Sequence, residues 1–273
     1  MYMVFGLGPI GANIGERLAE LGRKVYGFDL APDRAQDWAA ATRAPAGSVL
    51  DAVDWPAVDT VIVAVRTADQ VTSVFDALQR YCSGRSLTVM VVTTLAARDA
   101  RRLFSSTPES WRVFEAPVSG GPHGAREGTM TVFLSGPPCT PAEEVLLADI
   151  SGRVFRMHNY GDAATVKLLN NTLGTFNLLS TAHMLALAED LGIRANDFLD
   201  VIGVSSGRSW MSDNFIDVQD DLLLKDVELL RSEIGALPTT AFDADAAQSI
   251  RDTRALLTHG GKGSVKQPVR LVG

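Results

Sequence analysis

The segment VKLLNN, Val166 to Asn171, sets a lysine and two asparagines into an otherwise apolar run. Lys167, Asn170, Asn171, Gly174, Asn177 and Thr181 recur at offsets of 0, 3, 4, 7, 10 and 14. A proline-free helix over residues 163–191 therefore places them along one seam. Val166, Leu168, Leu169, Leu173, Phe176, Leu179, Met184, Leu185 and Leu187 cover most of the remaining circumference, which predicts a helix buried nearly all round. A polar seam on such a helix faces a partner network or a site with ligand and water. A snorkelling lysine and loop-capping asparagines are the plainer alternatives. Burial disfavours the charged form of a lysine and lowers its pKa. Lys167 is thus a candidate acid/base: neutral, it accepts a proton from an alcohol, and as ammonium it donates one to a carbonyl. Asn171, one turn on, and Asn170 are candidates for holding a substrate hydroxyl or carboxylate.

Alcohol chemistry of this kind needs a hydride acceptor, and the N-terminus offers a place for one. An apolar run over residues 2–6 leads into GLGPIGANIGERLAELG, in which Gly6, Gly8 and Gly11 form GxGxxG between a strand and a helix. Gly6 permits the tight turn, Gly8 lets backbone approach a pyrophosphate, and Gly11 lets helix pack on strand. Pro9 and Ile10 open the helix, where the missing proline N–H costs little. The free N–H groups there attract phosphate. The next strand, KVYGFD, ends in Asp29, placed to accept hydrogen bonds from an adenosine ribose. A carboxylate there favours NAD over NADP, an expectation that Arg34, five residues on, weakens. A glycine-rich turn without a ligand is the alternative.

Strands over residues 59–65 and 87–94 follow as continuous apolar, β-branched runs, as a parallel sheet buried on both faces requires. A helical repeat (Val71, Val74, Phe75, Leu78) lies between them. Runs over 111–117 and 129–136 add two further strands. The expected fold is α/β: a Rossmann-type doubly wound parallel sheet over residues 1–160, then an all-helical domain over 161–273. Ligands of such sheets bind at the carboxyl ends of the strands. Thr67, Thr93, Thr94 and Arg66 fall there, with Thr93 and Arg66 as cofactor candidates. Turn residues and a solvated arginine are equally ordinary readings.

Between these elements lies EAPVSGGPHGAREGTMT, residues 115–131, with glycines at 120, 121, 124 and 128. A loop of this composition packs little, and its backbone and the Ser119 hydroxyl are free to bind something.

GLGPIG at 6–11, APVSGGPHGAREGTMT at 116–131, GDAATVKLLNN at 161–171 and LKDVEL at 224–229 stand in the order and near spacing of one family. Over about residues 3–235 the chain resembles the β-hydroxyacid dehydrogenases, which include 3-hydroxyisobutyrate dehydrogenase and the NAD-binding part of 6-phosphogluconate dehydrogenase. The resemblance implies that Ser119, Gly120 and Gly121 bind the substrate carboxylate, that Lys167 is the acid/base, that Asn171 orients substrate, and that Lys225 lies near the site at the domain interface. It implies a small hydroxyacid substrate interconverted with its semialdehyde or keto acid, and a homo-dimer or homo-tetramer. Decarboxylating relatives carry a glutamate seven residues after the lysine. Here that residue is Gly174, so hydride transfer without decarboxylation is expected. Two features depart from the family pattern. Only nine residues separate Phe215 from Lys225, and the tail GGKGSVKQPVRLVG lacks the usual Asp and Ser, so the helical region is shortened on the lid side of the site. His123 and Arg66 are also atypical.

Composition narrows the partners. A net charge of −7 without a dense Lys/Arg cluster disfavours nucleic acid. No apolar run approaches the roughly 18 residues of a membrane span. The N-terminus lacks the basic region of a signal peptide. Two distant cysteines and four scattered histidines fit neither a disulfide framework nor a metal site, so a reducing cytoplasm is expected. Two rival functions remain. A non-catalytic dinucleotide-binding scaffold is supported by the shortened C-terminal region and opposed by the Lys167–Asn171 pair. An imine reductase-like enzyme is opposed by Lys167 and by Ser119-Gly120-Gly121.

Overall fold

The computed structural model describes residues 1–238, the side chain of Asp220 apart. Met1–Glu233 make one compact unit, and a second begins at Ile234. The family-atypical tail at 260–273 lies outside the described residues.

The chain begins with β1 (Tyr2–Phe5), α1 (Pro9–Glu20), β2 (Val25–Phe28), α2 (Pro32–Thr42) and β3 (Ala46–Gly47). It continues through β4 (Thr60–Val63), α3 (Ala68–Cys82), β5 (Leu87–Val91), α4 (Ala97–Phe104) and β6 (Trp111–Glu115). These six strands form one parallel sheet in the order β3-β2-β1-β4-β5-β6, the doubly wound arrangement expected. Its strands read as continuous apolar runs because alternate residues enter different cores. Met3, Phe5, Val61, Val63, Val89 and Val91 pack with Val71, Phe75 and Leu78 of α3 and Ala100 and Phe104 of α4. Val4, Ile62, Met90 and Phe114 point to the opposite face, against Ile14 and Leu18 of α1 and Trp38 of α2.

The second half of this region differs from the sequence expectation. Residues 129–136 do not extend the main sheet. β7 (Val118–Ser119), β8 (Met130–Leu134) and β9 (Ser151–Arg156) form a separate three-stranded sheet, in which β7 is antiparallel and β9 parallel to β8. A single antiparallel bridge, Glu115 to Ser135, joins the two sheets. Apolar periodicity identifies a strand but not its sheet, and β9, with most side chains exposed, carries little apolar signal. The glycine-rich segment is also more ordered than its composition predicts. Gly121–Glu127 form α5, packed on α1. Gly124 and Ala125 are buried, and Arg126 pairs with Glu16 and Glu20. α6 (Pro141–Ile150) opens with a Thr140/Glu143 capping box.

The helical part starts with α7 (Asp162–Asp190), 29 residues long, close to the expected bounds. α8 (Ala195–Gly203), α9 (Trp210–Asp213) and α10 (Asp220–Ile234) follow. The prediction that α7 is buried nearly all round does not hold. Leu169, Leu173, Leu179, Met184 and Leu187 are each about half exposed or more. No described element covers that side, so apolar composition overstated burial within this unit.

Candidate active site

Glu115, the last residue of β6, fixes where α7 begins. Its carboxylate is 2% exposed and accepts hydrogen bonds from the Gly161 N–H (2.6 Å) and the Ala164 N–H (2.8 Å). The helix start is thereby capped by a charge from the sheet. Burial pushes the Glu115 carboxyl above the usual range, and the two N–H donors oppose that shift. Tyr160 donates to the Val113 carbonyl at 2.9 Å, tying the preceding turn to the same strand.

One turn into α7, Lys167 is buried. Its Nζ donates to Asn171 Oδ1 at 2.8 Å, and Asn171 Nδ2 donates to Asp226 Oδ2 of α10 at 2.6 Å. Lys225 Nζ lies 3.3 Å from Asp226 Oδ1 and 3.5 Å from the Thr94 carbonyl oxygen. The Lys225–Asp226 approach provides charge attraction but is not aligned as a hydrogen bond, so Asp226 Oδ1 is a buried oxygen without a hydrogen-bond partner among the described residues. Burial lowers the Lys167 pKa to about 8; the Asp226 charge opposes the shift and the Lys225 charge adds to it.

The polar seam predicted along α7 is shorter than its spacing suggests. Lys167 and Asn171 join the buried chain to α10. Asn170 is exposed and turns to a neighbouring cavity of about 380 Å³, lined also by Ser119, Thr131, Phe133, Phe155, Met157 and Val166. At Gly174 the space is filled by Met211. Beyond it, the Thr181 hydroxyl donates to the Asn177 carbonyl of its own helix, so that end of the seam satisfies itself.

At the other end, Gly6 takes φ +90°, and an added Cβ would meet the Ala64 carbonyl. A Cβ on Gly11 would collide with the Gly6 carbonyl. Gly8, which caps α1 ahead of Pro9 and Ile10 with no side-chain cap, has open space where its Cβ would stand. A bare helix N-terminus with open space over its glycine fits a pyrophosphate. Asp29, at the end of β2, accepts from the Leu7 N–H (2.8 Å) and the Ala31 N–H (3.0 Å), and Arg34 Nη1 lies 3.2 Å from Oδ2.

The remaining candidates have local partners. The Thr93 hydroxyl donates to the Val65 carbonyl at 2.8 Å. Thr67 caps α3. Arg66 is exposed and pairs with Asp221 at 2.6 Å. Gly120 and Gly121, at φ +127° and +64°, carry the chain from Ser119 into α5, and His123 is exposed on that helix. Sequence reasoning gave no role to Asp226 or Glu115. The signal for Asp226 was present: an acid beside Lys225 in an apolar helical repeat. Glu115 was visible only as a carboxylate closing an apolar strand. Among the described residues no group of acids, histidines and cysteines could hold a metal ion, and no helix is long and apolar enough to cross a membrane.

Comparison with known proteins identifies the family. Residues 2–157 match the model of the NAD binding domain of 6-phosphogluconate dehydrogenase, and residues 161–265 that of the NAD-binding region of NADP-dependent 3-hydroxyisobutyrate dehydrogenase. An L-threonate dehydrogenase of Haemophilus influenzae is 30% identical over 251 residues, spanning 87% of this chain and 81% of its own. A probable 3-hydroxyisobutyrate dehydrogenase of Mycobacterium tuberculosis is 30% identical over 75% of this chain and 69% of its own. The crystal structure of a 3-hydroxyisobutyrate dehydrogenase from Salmonella typhimurium superposes with a TM-score of 0.77 at 25% identity, covering 95% of this chain and 94% of that one. With two family models together spanning most of the chain and relatives 30% identical over more than two thirds of it, the protein belongs to the β-hydroxyacid dehydrogenase family and is an NAD(P)-dependent enzyme of that kind.

Proposed function

We propose that the enzyme interconverts a small β-hydroxyacid with its semialdehyde or keto acid, without decarboxylation, using Lys167 as acid/base and NAD in preference to NADP. The observation that carries this reading is the buried Lys167–Asn171–Asp226 chain beside the cavity that Ser119 and Asn170 line. Bound NAD supplies the hydride acceptor. Neutral Lys167 takes the substrate's hydroxyl proton as the carbon–oxygen double bond forms, and returns it from the ammonium in the reverse direction. A lysine with a pKa of about 8 holds both forms in useful amounts near neutral pH. Asn171, fixed through Asp226, aims Nζ. Ser119 and the Gly120 and Gly121 backbone hold the carboxylate, Asn170 contacts the same molecule from α7, and Lys225 adds positive charge where α10 meets the site.

In this reading residues 1–160 are the dinucleotide-binding part and 161–273 the helical substrate and oligomerisation part. Gly6, Gly8, Pro9, Ile10 and Gly11 cradle the pyrophosphate. Asp29 meets the adenosine ribose, and Arg34, neutralised by Asp29, is a weak counterweight toward NADP. Thr93 and Arg66 belong to the cofactor side, Thr93 through its backbone since its hydroxyl is engaged. The uncovered apolar side of α7 supports a homo-dimer or homo-tetramer. Relatives named for L-threonate, 3-hydroxyisobutyrate and L-serine set the first substrates to test. Purified enzyme mixed with NAD or NADP and each of these acids should show nicotinamide reduction with at least one, faster with NAD. Dinucleotide binding without turnover of any hydroxyacid would overturn the reading in favour of a scaffold.

A further inference from the structure

The three-stranded sheet carries a feature that the acid/base chemistry does not use. Ser119 of β7 pairs directly with Thr131 of β8, and Thr131 pairs with Arg153 of β9. The three form one row across the sheet. A second row pairs Phe133 with Phe155, their rings stacked at 6.1 Å. Ser119, Thr131, Phe133 and Phe155 all line the cavity that Val166 and Asn170 close from α7. Arg153 sits two residues before Phe155 and therefore on the same face, and its guanidinium carbon lies 5.3 Å from the Phe155 ring centroid.

A register irregularity brings Arg153 into this row. Met130 pairs with Ser151, but Thr131 pairs with Arg153, so Gly152 is an extra residue in β9. Without that bulge Gly152 would stand opposite Thr131 and Arg153 would turn to the other face. Arg156, with the opposite orientation, is bound to Glu144 at 2.6 Å. Arg153 has no carboxylate partner among the described residues, and its exposed head is held over an aromatic ring at the edge of a cavity that a hydroxyacid would enter.

We propose that Arg153 is a specificity-determining residue that recognises an anionic group on the tail of the substrate, at the end remote from the carboxylate held by Ser119. The preferred substrate class is then a β-hydroxyacid bearing a second anion. This rests on the function proposed above. The aromatic pair forms the wall along which the tail runs, and Arg153 offers a planar, permanently charged donor to a carboxylate or a phosphate.

The test compares substrates that share a reacting end. 3-Hydroxyglutarate differs from 3-hydroxybutyrate by a tail carboxylate, and 4-phosphoerythronate from erythronate by a tail phosphate. The expected result is a higher kcat/KM for the anionic member of at least one pair, with the pair identifying which anion is used. In Arg153→Met the anionic-to-neutral ratio should fall about tenfold or more, the range of a hydrogen bond to a charged group. Arg153→Lys should retain part of the ratio, and Arg153→Glu should invert it. Arg153 is exposed, so these variants keep the fold. A ratio unchanged by all three substitutions, or no preference for either anionic substrate while the neutral acids are oxidised, overturns the proposal and leaves the general function standing. Failure to oxidise any member of either pair, or any of the acids named above, overturns both.

Discussion

The turn after β1 and the contact between α7 and α10 hold their ends of the site by opposite means. The turn is made of backbone. Gly6 and Gly11 are fixed by close approach to the Ala64 and Gly6 carbonyls, while Gly8 faces open space. The contact is made of side chains. Lys167, Asn171 and Asp226 are all buried and linked by two hydrogen bonds, the second spanning 55 positions of sequence. A backbone cradle tolerates little change in shape but needs no tuned charge. A side-chain relay tolerates changes of shape but depends on which group carries the proton. In this enzyme cofactor affinity should therefore fail through sterics and turnover through electrostatics.

The largest effect that sharpens this contrast is expected at the relay. Lys167→Ala should lower turnover by about 10²–10⁴-fold, the usual range for a lone acid/base, while dinucleotide affinity measured by calorimetry stays near that of the wild type. Unchanged turnover would remove the lysine from the mechanism.

The cradle gives the next effect, and two glycines separate fold from binding. Gly11→Ala places a methyl group against the Gly6 carbonyl and the Ala64 Cβ. It should cost about 3 kcal/mol of stability, toward the upper end for overpacking, seen as a lowered Tm. Gly8→Ala meets no protein atom within 4 Å. It should change stability by no more than about 0.5 kcal/mol, yet weaken dinucleotide binding about tenfold, because the methyl occupies the space through which backbone approaches the pyrophosphate. A Gly8→Ala variant that binds normally would show that the cradle is not used.

Smaller effects concern the charge on Lys167. Its lowered pKa, about 8, gives opposite signs to the two directions of reaction. With Lys167 as the proposed acid/base, oxidation requires the neutral amine, so its rate should rise as pH increases through about 8. Carbonyl reduction requires the ammonium and should decline over the same interval. Asp226→Asn removes the negative charge that raises the lysine pKa, so both profiles should move to lower pH. Profiles that stay in place would place the titrating group elsewhere.

Much of the cradle was legible in the sequence because its determinants are local. A glycine three residues into a helix, a proline at its start and an acid closing the next strand are adjacent in the chain, and steric rules act over that range. Lys167 and Asn171 were legible for the same reason: they are one helical turn apart on a long helix. The seam was overread beyond Gly174 because periodicity states which residues share a face and not what opposes that face. Met211 fills it at Gly174, and Asn170 turns to the cavity that Ser119 also lines rather than joining the buried chain to α10. The burial of α7 was overread likewise, since Leu169 and Leu173 are apolar whether or not anything covers them.

The sequence by itself determined the alternation of strands and helices, the glycine-rich turn after β1, and the lysine–asparagine pair, because hydrophobic periodicity, glycine stereochemistry and helical spacing all operate within a few residues. Only the tertiary structure decided that β8 leaves the main sheet, that Glu115 caps the helix carrying Lys167, that Asp226 joins the Lys167–Asn171 pair from α10, and that one extra residue at Gly152 puts Arg153 on the same sheet face as Phe155. Each of these depends on which distant segments pack together, and that is settled by burial and hydrogen-bond satisfaction summed over the whole unit.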